Sequence, residues 1–597
     1  MALLAAIALL AQDPQVPGDF KAKLKAKLQA KAAAAAQDAT EGPLDPTKMA
    51  HLEGKVVDGA GNPVRTAEVR LARVAGNGQV PGLPGNVTTS DNEGKFVFDI
   101  EPSPNLSLTA QKAGYSQAKY GAKAPTAPVV MFGIRAGESM NDLVLTMIQQ
   151  AVLTGRVVDD AGDPVAGALV TLHRRAYQQG VRRLVSAGSA PTNDLGEFRL
   201  VGLTDGRYYL VARDNQDRGN GIVSLPTFYP SATEESADPV EVKDGQDKGN
   251  LEIRLRTGKG YTVRGKVMGS VTPSGDVIGA GLVALPKVVV DGTLSSAGFL
   301  MPNGTVSKDG TFEVRRVVPG SYVVHLVTMT EAVGGGVSRR AIASPSVVVG
   351  GGDVSDVMLV PQPLFTITGR VSVEDATLAE MFRTVVNTQA NNGTNPTTID
   401  ATGMRLLLYP TGSDTLTDQM TAQVRSDGSF TLVGVPPGSY AFQQGTIQKT
   451  SIKTVRWGDE NVTEKGLVID GNGTLEVVYR RGAVRTTGTI KNAKGEPHGG
   501  AQVVLWPVEP LPVFIANGIR NSTSDRNGAW NIGAVRPGFY YAAAFEDLET
   551  NIAQIRDFLD MFTGVVQKVE AKEGSPLMLT LDLIPAETVR KAVEKLP

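Results

Sequence analysis

The feature that most limits what this chain can become is a phrase that returns at intervals of about one small domain. It reads Gly54-Lys-Val-Val-Asp-Gly-Ala-Gly-Asn-Pro-Val64, then Gly155-Arg-Val-Val-Asp-Asp-Ala-Gly-Asp-Pro-Val165, then Gly488-Thr-Ile-Lys-Asn-Ala-Lys-Gly-Glu-Pro-His498. Looser copies begin at Gly265 and Gly369, so successive starts lie 101, 110, 104 and 119 residues apart. Each interval fits one β-sandwich, whereas a single core serving all 597 residues would exceed the size at which cores stop growing.

The phrase is a strand running into a turn. Gly61, Gly162 and Gly495 supply the positive φ that a tight turn needs, and Pro63, Pro164 and Pro497 fix the chain as it leaves. Apolar side chains then recur every second residue over 67–71, 168–172 and 501–505, the period of a strand with one buried face.

A second phrase recurs in all five intervals: Ser90-Asp-Asn-Glu-Gly-Lys-Phe96, Asn193-Asp-Leu-Gly-Glu-Phe198, Lys308-Asp-Gly-Thr-Phe312, Ser426-Asp-Gly-Ser-Phe430 and Asp525-Arg-Asn-Gly-Ala-Trp530. An acidic or amide side chain here accepts a hydrogen bond from backbone further along the turn, and the aromatic and its i+2 partner face inward. Phe96, Phe198, Phe312, Phe430 and Trp530 are therefore expected to be equivalent core anchors. A third phrase, Pro319-Gly-Ser-Tyr322, Pro437-Gly-Ser-Tyr440 and Pro537-Gly-Phe-Tyr540, with the variant Asp205-Gly-Arg-Tyr208, feeds a tyrosine strand; the first interval has Pro104-Asn-Leu-Ser107 instead.

Taken together the three phrases resemble the carboxypeptidase regulatory-like family, whose domains are similar to the transthyretin or prealbumin-like β-sandwich. The resemblance covers Leu52 to Pro585, strongest in the first, second and fifth intervals. It implies an all-β chain, a tandem array of five transthyretin-like or immunoglobulin-like sandwich modules at 51–150, 151–259, 260–363, 364–482 and 483–597, with two packed sheets in each. The stretch Thr227-Phe-Tyr-Pro-Ser231 with Pro239 to Gly245 also looks like multi-module envelope or surface proteins of Gram-negative bacteria, acidobacterial ones especially. Short linkers predict a rod or arc, and five such domains in line would extend on the order of 150 Å.

Several segments fall outside the plan. Residues 1–11 form an apolar run similar to the hydrophobic part of an export signal, without its usual basic start and too short to span a bilayer. Residues 12–50 form an N-terminal arm in which alternating lysines and alanines with Leu24 and Leu28 predict a short helix. It is read either as docking on a partner or anionic surface or, more simply, as an exposed frayed helix. The fourth module carries an inserted loop from Asp375 through Thr402, and the fifth an inserted helix from Ile552 to Phe562 that is expected to pack across the end of its sandwich.

The chemistry of common enzymes is missing from the sequence. Cysteine is absent, and His51, His173, His325 and His498 fall in four different modules. No nucleophile elbow, phosphate loop or dinucleotide fingerprint is present, and Gly334 to Gly336 reads as a hairpin tip. Asp159, Asp160 and Asp163 suit a turn better than calcium. The sequence thus predicts no catalytic residue, no cofactor and no metal site. A formal charge of −2 argues against nucleic acid as a partner. Other protein subunits or further copies of the chain are the expected partners, with cell-surface glycans as the rival class through Trp457 and Trp506. The expected role is an exported, noncatalytic structural or assembly subunit of the periplasm, outer-membrane surface or extracellular space.

Overall fold

The computed structural model describes residues 49–73, 86–122, 127–178, 181–214, 221–233, 236–243, 245–268, 277–286, 303–307, 309–331, 337–343, 345–376, 378, 404–411, 418–443 and 450–596. The apolar run at 1–11, the lysine-rich arm, Gly334 to Gly336 and nearly all of the insertion in the fourth module lie outside the described residues.

The glycine that opens each repeat sits on a strand held between an antiparallel and a parallel neighbour. Ala50–Asp58 lies between Lys95–Ile100 and Ser139–Met147, and Ala151–Val158 between Glu197–Leu203 and Lys248–Arg254. Tyr261–Val267 lies between Thr311–Val317 and Val354–Leu359. Phe365–Val373 lies between Ser429–Val435 and Gly473–Arg481, and Val484–Lys491 between Ala529–Val535 and Leu577–Ile584. This three-strand unit occurs five times among the described residues, and below each occurrence is called a unit.

The register in every unit is the same. Gly54, Gly155, Gly265, Gly369 and Gly488 stand directly across from Phe96, Phe198, Phe312, Phe430 and Trp530. On the parallel side they face Leu143, Leu251, Val357, Leu475 and Leu579. A Cβ at any of the five glycines would overlap both the tip of the aromatic ring and the carbonyl oxygen of the parallel partner. The ring takes the space that a side chain would occupy and covers glycine backbone that would otherwise be bare, the pairing known to rescue strand glycines. All five aromatics are buried, between 1% and 4% exposed.

A second layer faces each unit. The strand after the first turn pairs with the tyrosine strand: Glu68–Arg73 with Ser103–Gln111, Leu169–Gln178 with Gly206–Arg213, and Val277–Pro286 with Gly320–Glu331. Arg405–Pro410 with Gly438–Phe442 and Gln502–Pro507 with Gly538–Phe545 continue the series. Alternating side chains from the two layers meet in one core per unit. The expectation of two separate sheets holds for the first, second and fourth units only. In the third, Asn303–Val306 pairs with strands of both layers and joins them into one eight-stranded sheet. In the fifth, Leu577–Ile584 does the same and the sheet has seven strands.

The fifth unit departs further. Strand Gln502–Pro507 is buried at every position, because its sheet is covered twice. Val503 and Leu505 enter the sandwich core, while Val504 and Trp506 face a second cluster. That cluster holds Phe558, Leu559 and Phe562 of the inserted segment and Val589, Ala592 and Leu596 of the C-terminal helix Ala586–Val593 and its exit. The inserted helix therefore lies on the outer face of the sheet, not across the end of the sandwich.

The glycine–aromatic pairs lead to a first prediction. Phe430→Ala costs the fourth unit about 3–5 kcal/mol, read as lost hydrogen-exchange protection along Phe365–Val373. Gly369→Ala destabilises the same strand, and adding Phe430→Ala relieves only the ring's share, because the Leu475 carbonyl remains in the way. Equal protection in the wild type and Phe430→Ala would show that the ring is not an anchor.

Candidate interaction surfaces

The polar residues of the repeated phrases hold turns. Asp58 Oδ1 accepts from the amides of Ala60 and Asn62 at 2.9 and 2.8 Å, and Asp159 and Asn492 do the same at their own i+2 and i+4 positions. Asp91, Asn193 and Asp525 repeat the geometry before the aromatic. These bonds hold the Asp58 carboxyl below its usual range, the Asn62 side chain contributing most. One oxygen of Asp159 is thus engaged in the turn, and no group of three metal-ligating side chains exists among the described residues.

Two further recurrences were not legible beforehand. Ser90 Oγ accepts from Ala67 N–H and donates to the Val64 carbonyl; Thr192 and Ser524 bridge the corresponding backbone groups. The signal is a hydroxyl residue immediately before the Asp or Asn of the second phrase. Tyr208, Tyr322 and Tyr440 donate their hydroxyls to the carbonyls of Thr204, Val318 and Pro436, each four residues back. These bonds tie the turn to its strand, much like a tyrosine corner.

The histidines stay apart in character as well as in sequence. His51 pairs with Asp99 at 2.7 Å on the surface. His173 is buried with an unpartnered Nδ1, and burial pushes its pKa down to about 4. His325 is buried, and His498 is half-buried.

Of the two tryptophans expected as ligand platforms, Trp506 is corrected: it is fully buried against Tyr541 beneath the inserted helix and offers no face to a ligand. Its burial follows from the apolar run Val503-Val-Leu-Trp506, which lacks the alternation of a one-faced strand. Trp457 is half-buried, with its six-membered ring over Gly473, across the sheet from the other edge of the same unit. The two do not converge on one surface.

What the structure does bring together are segments far apart in sequence. In four units the tyrosine strand's free edge is closed by two strands of the same unit, such as Phe132–Ile134 with Ala118–Lys119 and Val240–Val242 with Thr227–Phe228. Ser346–Val349 with Val337–Ala343 and Gln567–Ala571 with Leu577–Ile584 close the third and fifth. The fourth unit closes the first half of this edge with its own Leu467–Ile469. Its strand Thr450–Trp457 has gone to the other sheet, beside Gly473–Arg481. The gap is filled from the fifth unit: Phe442 N–H donates to the Val513 carbonyl at 2.9 Å, and Phe442 forms a parallel bridge with Phe514. Leu511, Val513 and Phe514 belong to the fourth unit's core.

The fifth unit also meets the first two. Arg526 contacts Met140 Sδ at 2.9 Å and Glu138 at 3.3 Å, its backbone N–H donates to the Met131 carbonyl, and Gly500 lies against Val130. Tyr177 of the second unit joins the cluster around Trp506. Neighbour contacts along the chain thus close back on the first unit, and the expected rod or arc is replaced by a closed circuit. The reason is a set of complementary patches 386 residues apart that linker length alone does not reveal.

Residues 152–256 match the carboxypeptidase regulatory-like domain. That span is the second unit, which carries all three phrases. No curated protein matches the chain. Among solved structures, the chain is similar to the TIE protein of Bacillus anthracis at 13% identity and a TM-score of 0.15, covering 53% of this chain and 51%, about half, of that one. A minor pilin of Streptococcus agalactiae is 17% identical with a TM-score of 0.21, covering 38% of this chain and 99% of the pilin. The shaft pilin SpaA of Lactobacillus rhamnosus GG is 12% identical with a TM-score of 0.18, covering 35% and 98%. Likenesses of this size carry no functional argument. Among the described residues, no helix is long and apolar enough to cross a membrane.

Two outcomes are expected. Burial holds the folded pKa of His173 below its unfolded value near 6.5, so the unfolded chain binds the proton more readily. Stability of the second unit is full above about pH 6.5, falls as pH drops toward about 4, and levels below that, with a loss of up to roughly 3 kcal/mol. Denaturant unfolding across this range should show the slope, and His173→Leu should remove it. Separately, Arg526→Glu should open the circuit and raise the radius of gyration in X-ray scattering, and adding Glu138→Arg should restore it. An unchanged scattering profile would place the closure elsewhere.

Proposed function

We propose that this chain is an exported, noncatalytic structural or assembly subunit of the cell envelope or of an extracellular complex, built as five modules with the boundaries given above. The observation that carries the reading is that every unit keeps a sheet edge unpaired among the described residues. Lys95–Ile100, Glu197–Leu203, Val354–Leu359, Ser429–Val435 and Ala529–Val535 each end their sheet. Four of these edges also present an exposed apolar side chain: Val97, Val201, Met358 and Val433. A free edge with apolar residues is what another strand or subunit pairs with, and a protein with no such partner normally blunts it.

The motif residues support the same reading. Among the described residues their carboxylates, hydroxyls and phenols are engaged in turns and backbone staples. The rival reading, binding of carbohydrate or another surface ligand, requires an exposed aromatic platform or polar groups converging in a cleft. Burial of Trp506 removes one of its two candidates, and Trp457 is half-covered by its own sheet.

Gentle extraction from the native envelope or extracellular fraction, followed by particle imaging and identification of co-purifying chains, tests the proposal. An assembly larger than one chain is expected. A free monomer that binds a defined glycan, and loses it on Trp457→Ala, would favour the rival.

A further inference from the structure

Among the described residues, the fourth unit's own strands close only part of the Gly438–Phe442 edge, and a segment of the fifth unit closes the rest. Its strand Thr450–Trp457 pairs with Gly473–Arg481 over seven residue pairs and is committed to the other layer. The exposed length of Gly438–Phe442 is left as a slot with one free backbone donor, Phe442 N–H, and a buried ring. The occupant is the tip of a hairpin from the fifth unit, between strands Gln502–Pro507 and Arg520–Thr523.

The tip suits the slot chemically. Leu511, Val513 and Phe514 are 6%, 0% and 4% exposed. Phe514 meets Phe442 edge-on at 5.1 Å between ring centroids, and the Val513 carbonyl accepts the one free amide. The tip is a tight turn with Pro512 inside it, closed by the Phe514 N–H donating to the Leu511 carbonyl at 3.0 Å, so its shape is fixed within the segment itself and little chain entropy is lost on seating. Arg556 donates to the carbonyls of Pro507 and Val508 and fixes the base of the hairpin. Past the slot the backbone is strained, with Ala516 and Asn517 in succession at φ of 54° and 52°.

We propose that the Gly438–Phe442 edge is a segment-binding site and that its partner in trans is the Leu511–Phe514 tip of a second copy of this chain. The proposal rests on the assembly reading above and names its partner. The contacts are the same whether the tip comes from its own chain or another, so the choice is decided by effective concentration. In dilute solution the tip seats in its own chain. Where copies are crowded to about millimolar levels, as in an array, exchange becomes competitive. Reciprocal exchange closes a two-fold pair, and exchange passed on from copy to copy builds an open chain.

The absence of cysteine makes engineered thiols unambiguous. The isolated bridge between Phe442 and Phe514 fixes where the two segments meet, and Gln443 and Ile515 are the next residues on each. Full-length chain carrying both Gln443→Cys and Ile515→Cys should oxidise within itself. The two single variants, refolded together at near-millimolar concentration, should give a disulfide-linked dimer of one with the other. The dimer should disappear when the Ile515→Cys chain also carries Val513→Asp and Phe514→Asp.

If the double variant links internally but the mixture yields only monomers or like-with-like dimers, the second copy is not the partner. The slot itself is tested with full-length chain whose residues 509–518 are replaced by a glycine-serine loop of equal length. A labelled peptide of residues 509–518 should bind it saturably, and at least about tenfold more weakly with the two aspartates. No binding overturns the site. These measurements use purified chain alone, so they stand or fall separately from the native assembly, which extraction and imaging address.

Discussion

Everything regular in this protein hangs on a cross-strand pair of a glycine and an aromatic ring. The glycine strand is the middle strand of its unit, so its backbone must be approached from both sides. On the parallel side a leucine or valine carbonyl comes too near to leave room for a Cβ, and on the antiparallel side the ring lies over the bare backbone. Any other residue at Gly155 would push the two neighbours apart. A smaller residue at Phe198 would leave the glycine uncovered and the core short of a large buried ring. Each member of the pair is the reason for the other, and the five-fold recurrence is one solution reused.

The turns serve that pair. The Asx bonds of Asp91 and Asp525 set the strand that delivers Phe96 and Trp530 opposite their glycines. Ser90 and Ser524 pin the preceding strand to the same turn from inside. Tyrosine hydroxyls do the corresponding work on the second layer, where desolvation keeps the phenols of Tyr322 and Tyr440 from ionising by raising their pKa values. Residues that would draw attention as acids, bases or ligands in an enzyme are here the fastenings of turns and strands.

The fourth and fifth units show how a repeat is bent to join its neighbours. The fifth buries both faces of one sheet, adding a helical layer that also receives Tyr177 from the second unit. The fourth gives a strand to the opposite layer and takes its replacement from the fifth. Such exchanges make the two units interdependent, so a boundary drawn between them by sequence spacing separates residues that share one core.

Much was legible in the sequence because it depends on local rules. Strand period, glycine at positive φ and proline after the turn act within a few residues. Their recurrence therefore revealed the all-β class, the repeated glycine and the aromatic that follows each turn. The run Val503-Val-Leu-Trp506 carried a further local hint, since a strand without alternation is covered on both faces, but what covers it comes from sequence positions 558–562 and 589–596. Trp506 therefore looked like a strand-end aromatic and proved to be the floor of a second core. The exchange at Phe442 and the closure through Arg526 left no trace in spacing or composition. Each depends on which surfaces of separately folded units are complementary in three dimensions. By itself the sequence determined the repeated unit, because its hydrogen bonds and pleat are set by neighbours in the chain. Only the tertiary structure decided how the units complete one another, because burial and edge pairing between distant segments are settled by shape.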